Sequence, residues 1–486
     1  MQKFFAVLAI ALGVLLIGVL GWGLIYLPAE MSAAAKAAID DFKLVLERDA
    51  PQLTLTHGAI SADPLTASVT VADASLVHAS GDTVEAEALE FTVDPFSGEI
   101  SAVGARALGF EKGDKQLKLA GMEVTGLTPA TRRLLAEAAQ GGLDAGAFFR
   151  RLALTRLRIH GLAVTTPNEG EMTLVEITLR NMQGGIVERL TLDGFNMEVR
   201  SGRDPGEFAL AHMEFTGLNL GEIVSAVSRL DRLPYFTAPV VQGFAMDGFE
   251  LRTQDFEFRL AKAYGEASYV SNGKGGHYAN RSSFAMEGIL VKPGANSRQG
   301  QEMLRALGRS DLKARIKAVG TSDHSARTMA MTEFTIDLED LARFDFAAEI
   351  GNVPTEMYVL SVRLEDMQAL MTKGLGATIN SASMVIRNSG LIQHALDQAA
   401  RKQGIDAKAM IGAMLAQGRE VGRRNNDAVL LRLLDQIAAF LADPKVLKIA
   451  VTPKPPLALG RFRQLASPGN PGALLRALNL TAEANR

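Results

Sequence analysis

The sequence predicts a mainly β protein with some helix (α+β): one N-terminal transmembrane helix, a long one-faced antiparallel sheet of repeated hairpins, and a helical C-terminal region. Three observations carry that expectation. Residues Phe4 to Leu27 contain no charged side chain. Period-two alternation of apolar and polar residues dominates the middle of the chain. A glycine-centred unit recurs six times between residues 117 and 291.

The uncharged stretch is 24 residues long, and a helix needs about 20 to cross the hydrocarbon core. It exceeds the roughly 7–15 apolar residues of a signal peptide, although Ala33, Ala34 and Ala35 would suit a cleavage site. Lys3 precedes it, and Glu30, Lys36, Asp40 and Asp41 follow. The excess of positive charge before the span places the short N-terminus in the cytoplasm and the body outside. Trp22 and Tyr26 fall where amphipathic rings favour the headgroup layer. No later segment holds 18 uninterrupted apolar residues. Residues 1–29 are therefore expected to be a cytoplasmic stub and a single-pass anchor.

Residues 30–294 read as a β-rich body. A short helix is predicted over 33–46. Leu65, Ala67, Val69 and Val71 then alternate with Thr66, Ser68 and Thr70, as a half-buried strand requires. The recurring unit is apolar, any, apolar, any, Gly, apolar, any, apolar, centred on Gly121, Gly161, Gly194, Gly217, Gly248 and Gly288. The apolar phase flips across each glycine. Either a bulge re-phases a continuing strand, or a two-residue turn folds the unit into a hairpin, which Asp193-Gly194 and Asp247-Gly248 suit well. The unequal spacing excludes a strict solenoid.

Helices are predicted over 128–150, 221–232, 296–308 and 365–373. Residues 295–390 form a second β-rich segment, with alternation at Phe334, Ile336 and Leu338 and at Tyr358, Leu360 and Val362. A strand through Met384 and Ile386 ends at Asn388-Ser389-Gly390. Residues 391–486 form the helical C-terminal region, broken near Gly404. Asn426 is the expected N-cap of a helix whose Leu430, Leu433, Leu434, Ile437 and Leu441 make one apolar stripe. Pro444 ends it, and strands follow at Leu447–Val451 and Leu478–Ala484.

Composition narrows the function. The 51 basic and 54 acidic residues nearly cancel, with one Trp and six Tyr, so a nucleic-acid partner is disfavoured. Absence of cysteine removes disulfides, thiolate metal sites and cysteine nucleophiles. The seven histidines stand at no paired metal spacing, and His160 reads as a solvated turn residue. Gly273-Lys274-Gly275-Gly276 lacks the residues of a phosphate loop and reads as a hairpin tip. No Gly-x-Ser-x-Gly elbow occurs. Glu339 and Asp340 end a predicted strand, where neighbours point to opposite faces, and read as ordinary turn or cap residues. No catalytic, metal-ligating or cofactor-binding residue is predicted, and no cofactor. Arg419, Arg423 and Arg424 form the densest basic cluster; it suits a lipid headgroup or the solvated end of a helix.

An N-terminal span, a long one-faced β body with a repeated unit and a helical C-terminal region together resemble AsmA-like envelope proteins and similar membrane-anchored periplasmic β-rich proteins. The resemblance lies in architecture and in no specific motif. It implies handling of lipids, or a part in outer-membrane assembly, from a bacterial inner membrane. The function expected is a membrane-anchored periplasmic protein with lipid in an apolar groove. The alternatives are a structural or interaction protein of the cell envelope, partnered by other envelope proteins, and an enzyme whose site is invisible in sequence. What lies over the apolar face decides between the first two, above all whether residues 391–442 cover it.

Overall fold

A computed structural model describes residues 53–63, 65–79, 81–93, 100–112, 115–139, 145–166, 169–201, 205–227, 239–271, 277–358, 372–424, 426–466 and 471–485, with scattered residues between 33 and 44. The expected membrane span at 4–27 lies outside them. Among the described residues no helix is long and apolar enough to cross a membrane. The described residues of 33–44 are helical, as expected. The chain divides into two compact units, Met1–Phe236 with Val240–Gly248, and Thr237–Pro239 with Phe249–Arg486.

The first unit is an antiparallel meander. Strands β1 (Leu53–Thr56) and β2 (Ile60–Asp63) both pair with β3 (Ser68–His78). Then β4 (Thr83–Val93), β5 (Ile100–Lys112) and β6 (Lys115–Thr125) follow in order. Helices α1 (Pro129–Ala139) and α2 (Ala145–Arg151) lead into β7 (Leu154–Thr166), β8 (Gly170–Gln183), β9 (Ile186–Val199) and β10 (Gly206–Asn219), each paired with its predecessor. Helix α3 (Leu220–Val227) comes next, and the unit boundary falls inside β11 (Gly243–Thr253). The strand expected from Leu65 starts only at Ser68. Ala67 has a positive φ of 49° and Leu65 is 96% exposed at a turn, where alternation of residue types mimics a strand without one.

The recurring glycines lie within strands and not at hairpin turns. In β7, Leu157 and Ile159 precede Gly161, and Leu162 and Val164 follow. A plain strand would send the second pair to the opposite face. Yet His160 pairs with Glu176 and Leu162 with Leu174 in one unbroken register, so no residue is inserted against β8. Gly161 itself is left-handed, at φ 63°, which reverses the phase without an insertion. Ile159 and Leu162 consequently pack against the same core, as do Leu119 and Met122 of β6 and Ala105 and Leu108 of β5.

This phase reversal crosses the meander as a line. Positive φ recurs on alternate strands at Asp73, Ala107, Gly161 and Gly194, and the residues between them are Glu87, Ala120 and Val175. Glycine is needed where the neighbour crowds in. A Cβ on Gly161 would stand 2.5 Å from the Ala120 methyl carbon, and one on Gly194 2.5 Å from Val175 Cγ2. Gly121 is different. It is not left-handed, and it makes room for the ring of His160 opposite. A second line runs six residues along, through Thr155, Asn181 (φ 50°), Glu188 and Gly217 (φ 60°). Beyond it Leu154, Met182, Val187 and Leu218 make one buried cross-strand row.

The second unit continues the pattern of neighbouring antiparallel strands. β12 (Phe256–Ser271) pairs with β13 (His277–Pro293), and helix α4 (Arg298–Ala306) precedes β14 (Leu312–Asp323), which pairs with β13. A true bulge occurs here. Three steps from Met286 to Ile289 oppose two from Ile316 to Ala314, and β14 alternates regularly over 312–318. β15 (Thr328–Leu338), β16 (Ala342–Gly351) and β17 (Thr378–Asn388) follow. Tyr358, expected on a strand, instead ends a 3-10 turn (Thr355–Tyr358), while Leu360 and Val362 lie outside the described residues.

Three helices then form α5 (Leu391–Gln403), α6 (Ala407–Arg424) and α7 (Ala428–Ala442). Gly404 closes α5 in the left-handed conformation, as a helix C-terminus favours. The α7 cap is Asp427 and not Asn426: its carboxylate accepts from the amides of Val429 and Leu430 at 3.1 Å each. Asn426 takes the positive-φ position before it (47°), which asparagine tolerates. β18 (Val446–Val451), β19 (Leu457–Ala458), α8 (Leu459–Leu465), α9 (Pro471–Ala477) and β20 (Leu480–Ala484) complete the chain, with β18 between β17 and β20.

Candidate functional site

In the first unit, apolar side chains meet across every strand pair on one face of the sheet. Met172 faces Met197, Leu174 faces Phe195, and Ile177 faces Leu192. On the next strand Phe195 faces Leu210 and Met197 faces Phe208; the rings of Phe195 and Phe208 meet edge to face at 5.3 Å. The alternate residues on these strands, including Arg158, Glu176, Thr178, Arg189 and Glu214, make up the polar face.

Coverage of the apolar face is uneven. Ile39 joins the core of β3–β6. Leu134, Phe148, Phe149, Leu220 and Ile223 of α1, α2 and α3 pack over the end of β7–β10 marked by Met182, Val187 and Leu218. Farther along those strands Met172, Ile177, Leu192, Phe195, Met197 and Phe208 are only half-buried. Within the same strip Leu174 and Leu210, both opposite Phe195, are buried at 4% and 6% exposure.

The polar face is self-neutralising. Arg158 Nη2 donates to Glu176 Oε2 at 2.7 Å, Arg189 lies 3.4 Å from Glu214, and His212 Nδ1 lies 2.6 Å from Asp193 Oδ1. Hydrogen bonds from Arg158 and Thr178 hold the Glu176 carboxyl below the usual range. Pairs this exposed each contribute about 0–1 kcal/mol. His160, expected in a turn, is a half-buried strand residue between Gly121 and Glu176. Its place is set by cross-strand pairing, which no local signal marks.

In the second unit the apolar rows run from Phe284 through Ala318, Phe334 and Phe346 to Met384. At the C-terminal end, Ile392, Phe440 and Leu441 pack on Ile386, Leu447, Ile449 and Ala484. Residues 391–442 thus cover β17, β18 and β20. Phe346 and Met331, farther in, are 38% and 39% exposed.

Beside those two residues is a cavity of about 450 Å³. One row of its floor is Ser282, Gly320, Met331 and Ala348, and the next is Ser322, Met329 and Ile350. Tyr278, Met357 and Tyr358 also line it. The rings of Tyr278, His324 and Tyr358 form a cluster with centroids 5.3–5.6 Å apart. The Tyr358 hydroxyl lies 3.1 Å from the carbonyl oxygens of both Asp323 and Thr328, and Ser322 donates to the Ala279 carbonyl. Burial, with Asp323 nearby, pushes the Tyr358 phenol up to about 12.

The basic cluster expected at 419–424 is largely compensated within the chain. Arg419 Nη2 donates to Asp435 at 3.0 Å across α6 and α7, and Arg424 pairs with Glu420 at 2.8 Å one turn back. Arg423 is exposed. Glu339 and Asp340 sit in the turn after β15, against Lys313 at 3.5 Å and Arg309 at 3.4 Å. Residues 272–276, with the glycine-rich tip, lie outside the described residues. Among the described residues no three His, Asp or Glu side chains are grouped to hold a metal.

A family model described only as "Uncharacterized protein" matches residues 335–485, from β15 to the final strand. No curated protein matches the chain.

Proposed function

We propose that this chain is a membrane-anchored protein of a bacterial envelope, held through residues 4–27 with its body on the periplasmic side, and that its apolar sheet face holds the acyl chains of lipids. The observation that carries the reading is the half-buried strip of Met172, Ile177, Leu192, Phe195, Met197 and Phe208. Large exposed apolar patches are rare on soluble monomers and mark places where something binds. Bringing each such side chain from partial exposure to full burial gains on the order of 1 kcal/mol. Hydrocarbon chains suit the strip because it presents no hydrogen-bonding side chain to be satisfied. An anchor in the bilayer would keep it beside a source of such chains. The architectural resemblance to AsmA-like proteins points the same way.

The C-terminal helices bear on the competing reading, in which the apolar face is wholly internal. They cover β17, β18 and β20 and leave Phe346 and Met331 exposed. A protein partner over the face would make the same strip an interaction surface. Purifying the full chain in a detergent-free polymer disc, with photo-crosslinking residues at Leu192 and Met197, separates the two. Adducts to phospholipid are expected; adducts to one protein only would overturn the lipid reading.

A further inference from the structure

The cavity of the second unit differs from the strip in being concave, with Tyr278, Met357 and Tyr358 along its wall. The geometry points to a terminal pocket that takes the methyl end of a single hydrocarbon chain, lying along Phe334 and Phe346 with its tip between Met329, Met357 and Tyr358. The inference rests on the acyl-chain reading of the apolar faces and adds where one chain stops and which end enters.

Four features of the pocket carry it. Its volume of about 450 Å³ lies in the range of small-ligand sites, roughly 300–1,000 Å³. Its lining is mostly apolar, and two of its hydroxyls are engaged inside the protein: Tyr358 reaches the Asp323 and Thr328 carbonyls and Ser322 donates to that of Ala279. A headgroup entering there would lose its water and gain few partners, whereas a methyl terminus loses nothing. Met329, Met331 and Met357 supply unbranched, polarizable side chains that adapt to a flexible chain. Finally, the pocket meets the apolar rows at Phe346, which lines it and faces Phe334 across the strands. The bulge at Thr332 aligns these rows: both β14 and β16 shift register there, so Met329 and Met331 join the face of Phe334 and Ile336. Tyr278 and Tyr358 form the stop, with the His324 ring packed against both.

The test uses two palmitate probes on the purified full-length chain, one with a diazirine at the methyl end and one with it beside the carboxyl group. Labelled peptides are mapped by mass spectrometry, with unlabelled palmitate as competitor. The methyl-end probe is expected to label 277–282, 329–331, 346–350 and 355–358, and the carboxyl-end probe to avoid them. The substitution Ala348→Phe should reduce pocket labelling roughly tenfold by filling the cavity, while labelling of β8–β10 stays unchanged. Competable labelling of β8–β10 with none in the pocket, or both probes labelling it equally, would overturn the terminal pocket and leave the acyl-chain reading standing. No competable labelling anywhere would overturn both. The position of the label on the unaltered chain decides the matter even if the phenylalanine variant fails to fold.

Discussion

Replacing Gly161 by alanine probes the phase reversal that keeps the sheet apolar on one side. Alanine in the left-handed conformation at φ 63° costs about 1–2 kcal/mol. The new Cβ would lie 2.5 Å from that of Ala120, well inside the ordinary separation of about 3.5–4.0 Å. Relieving that overlap costs a further ~1–3 kcal/mol. The stiffer unfolded chain returns up to about 1 kcal/mol, so a net loss of roughly 1–5 kcal/mol is expected. Hydrogen exchange of peptides from β6, β7 and β8 reads this as a fall in local opening free energy. Gly109→Ala is the control, since its backbone is not left-handed and nothing lies within 4 Å of its added Cβ; it should be neutral or stabilise by up to ~1 kcal/mol. Adding Ala120→Gly to Gly161→Ala removes the overlap and should restore about 1–3 kcal/mol. Equal protection in Gly161→Ala and Gly109→Ala would refute the argument.

Other expectations follow from the same geometry. Asp427 is 1% exposed and caps α7 while facing Arg476 at 3.5 Å. Asp427→Ala should therefore cost about 2 kcal/mol in denaturant melts and Asp427→Asn less, because asparagine keeps the cap. Leu192→Asp should abolish bound lipid with the fold retained, whereas Val187→Asp, at a position with 0% exposure, should unfold the first unit; far-UV circular dichroism and lipid extraction distinguish the two. Glu176 and Asp345 both titrate below the normal carboxylate range. Hydrogen bonds from Arg158 and Thr178 lower Glu176; for Asp345, burial opposes ionisation but bonds from Arg343, Thr335 and Arg387 outweigh it. Such groups stabilise the fold above their unfolded pKa of about 4 and lose that contribution as pH falls through the lower folded values. Melting temperature should drop more steeply below pH 4 in the native chain than in Glu176→Gln/Asp345→Asn. Tyr358 has the opposite sign: its contribution is complete below about pH 10 and fades as pH rises through about 12, so Tyr358→Phe should flatten the alkaline limb.

Much of the fold was legible because strand alternation and helical stripes are local signals. β15, β17 and α7 fall close to where their apolar periods place them. The phase flips at Gly161 and Gly194 were visible too, but Asp-Gly looks alike in a type I′ turn and in the middle of a strand. Only cross-strand register separates them. Asp73 and Ala107 do the same work as those glycines without the glycine signature, so the line they belong to was hidden. The cavity was hidden for another reason: its walls come from five segments between Tyr278 and Tyr358, brought together by pairing and one bulge. Arg419 looked like part of a free basic cluster because Asp435, its partner, sits on the next helix.

The most direct test of the central claim is native mass spectrometry of the full-length chain taken from membranes without detergent, with Leu192→Asp alongside. Phospholipid is expected on the native chain and absent from the variant. A lipid-free native chain, or equal lipid on both, would contradict it.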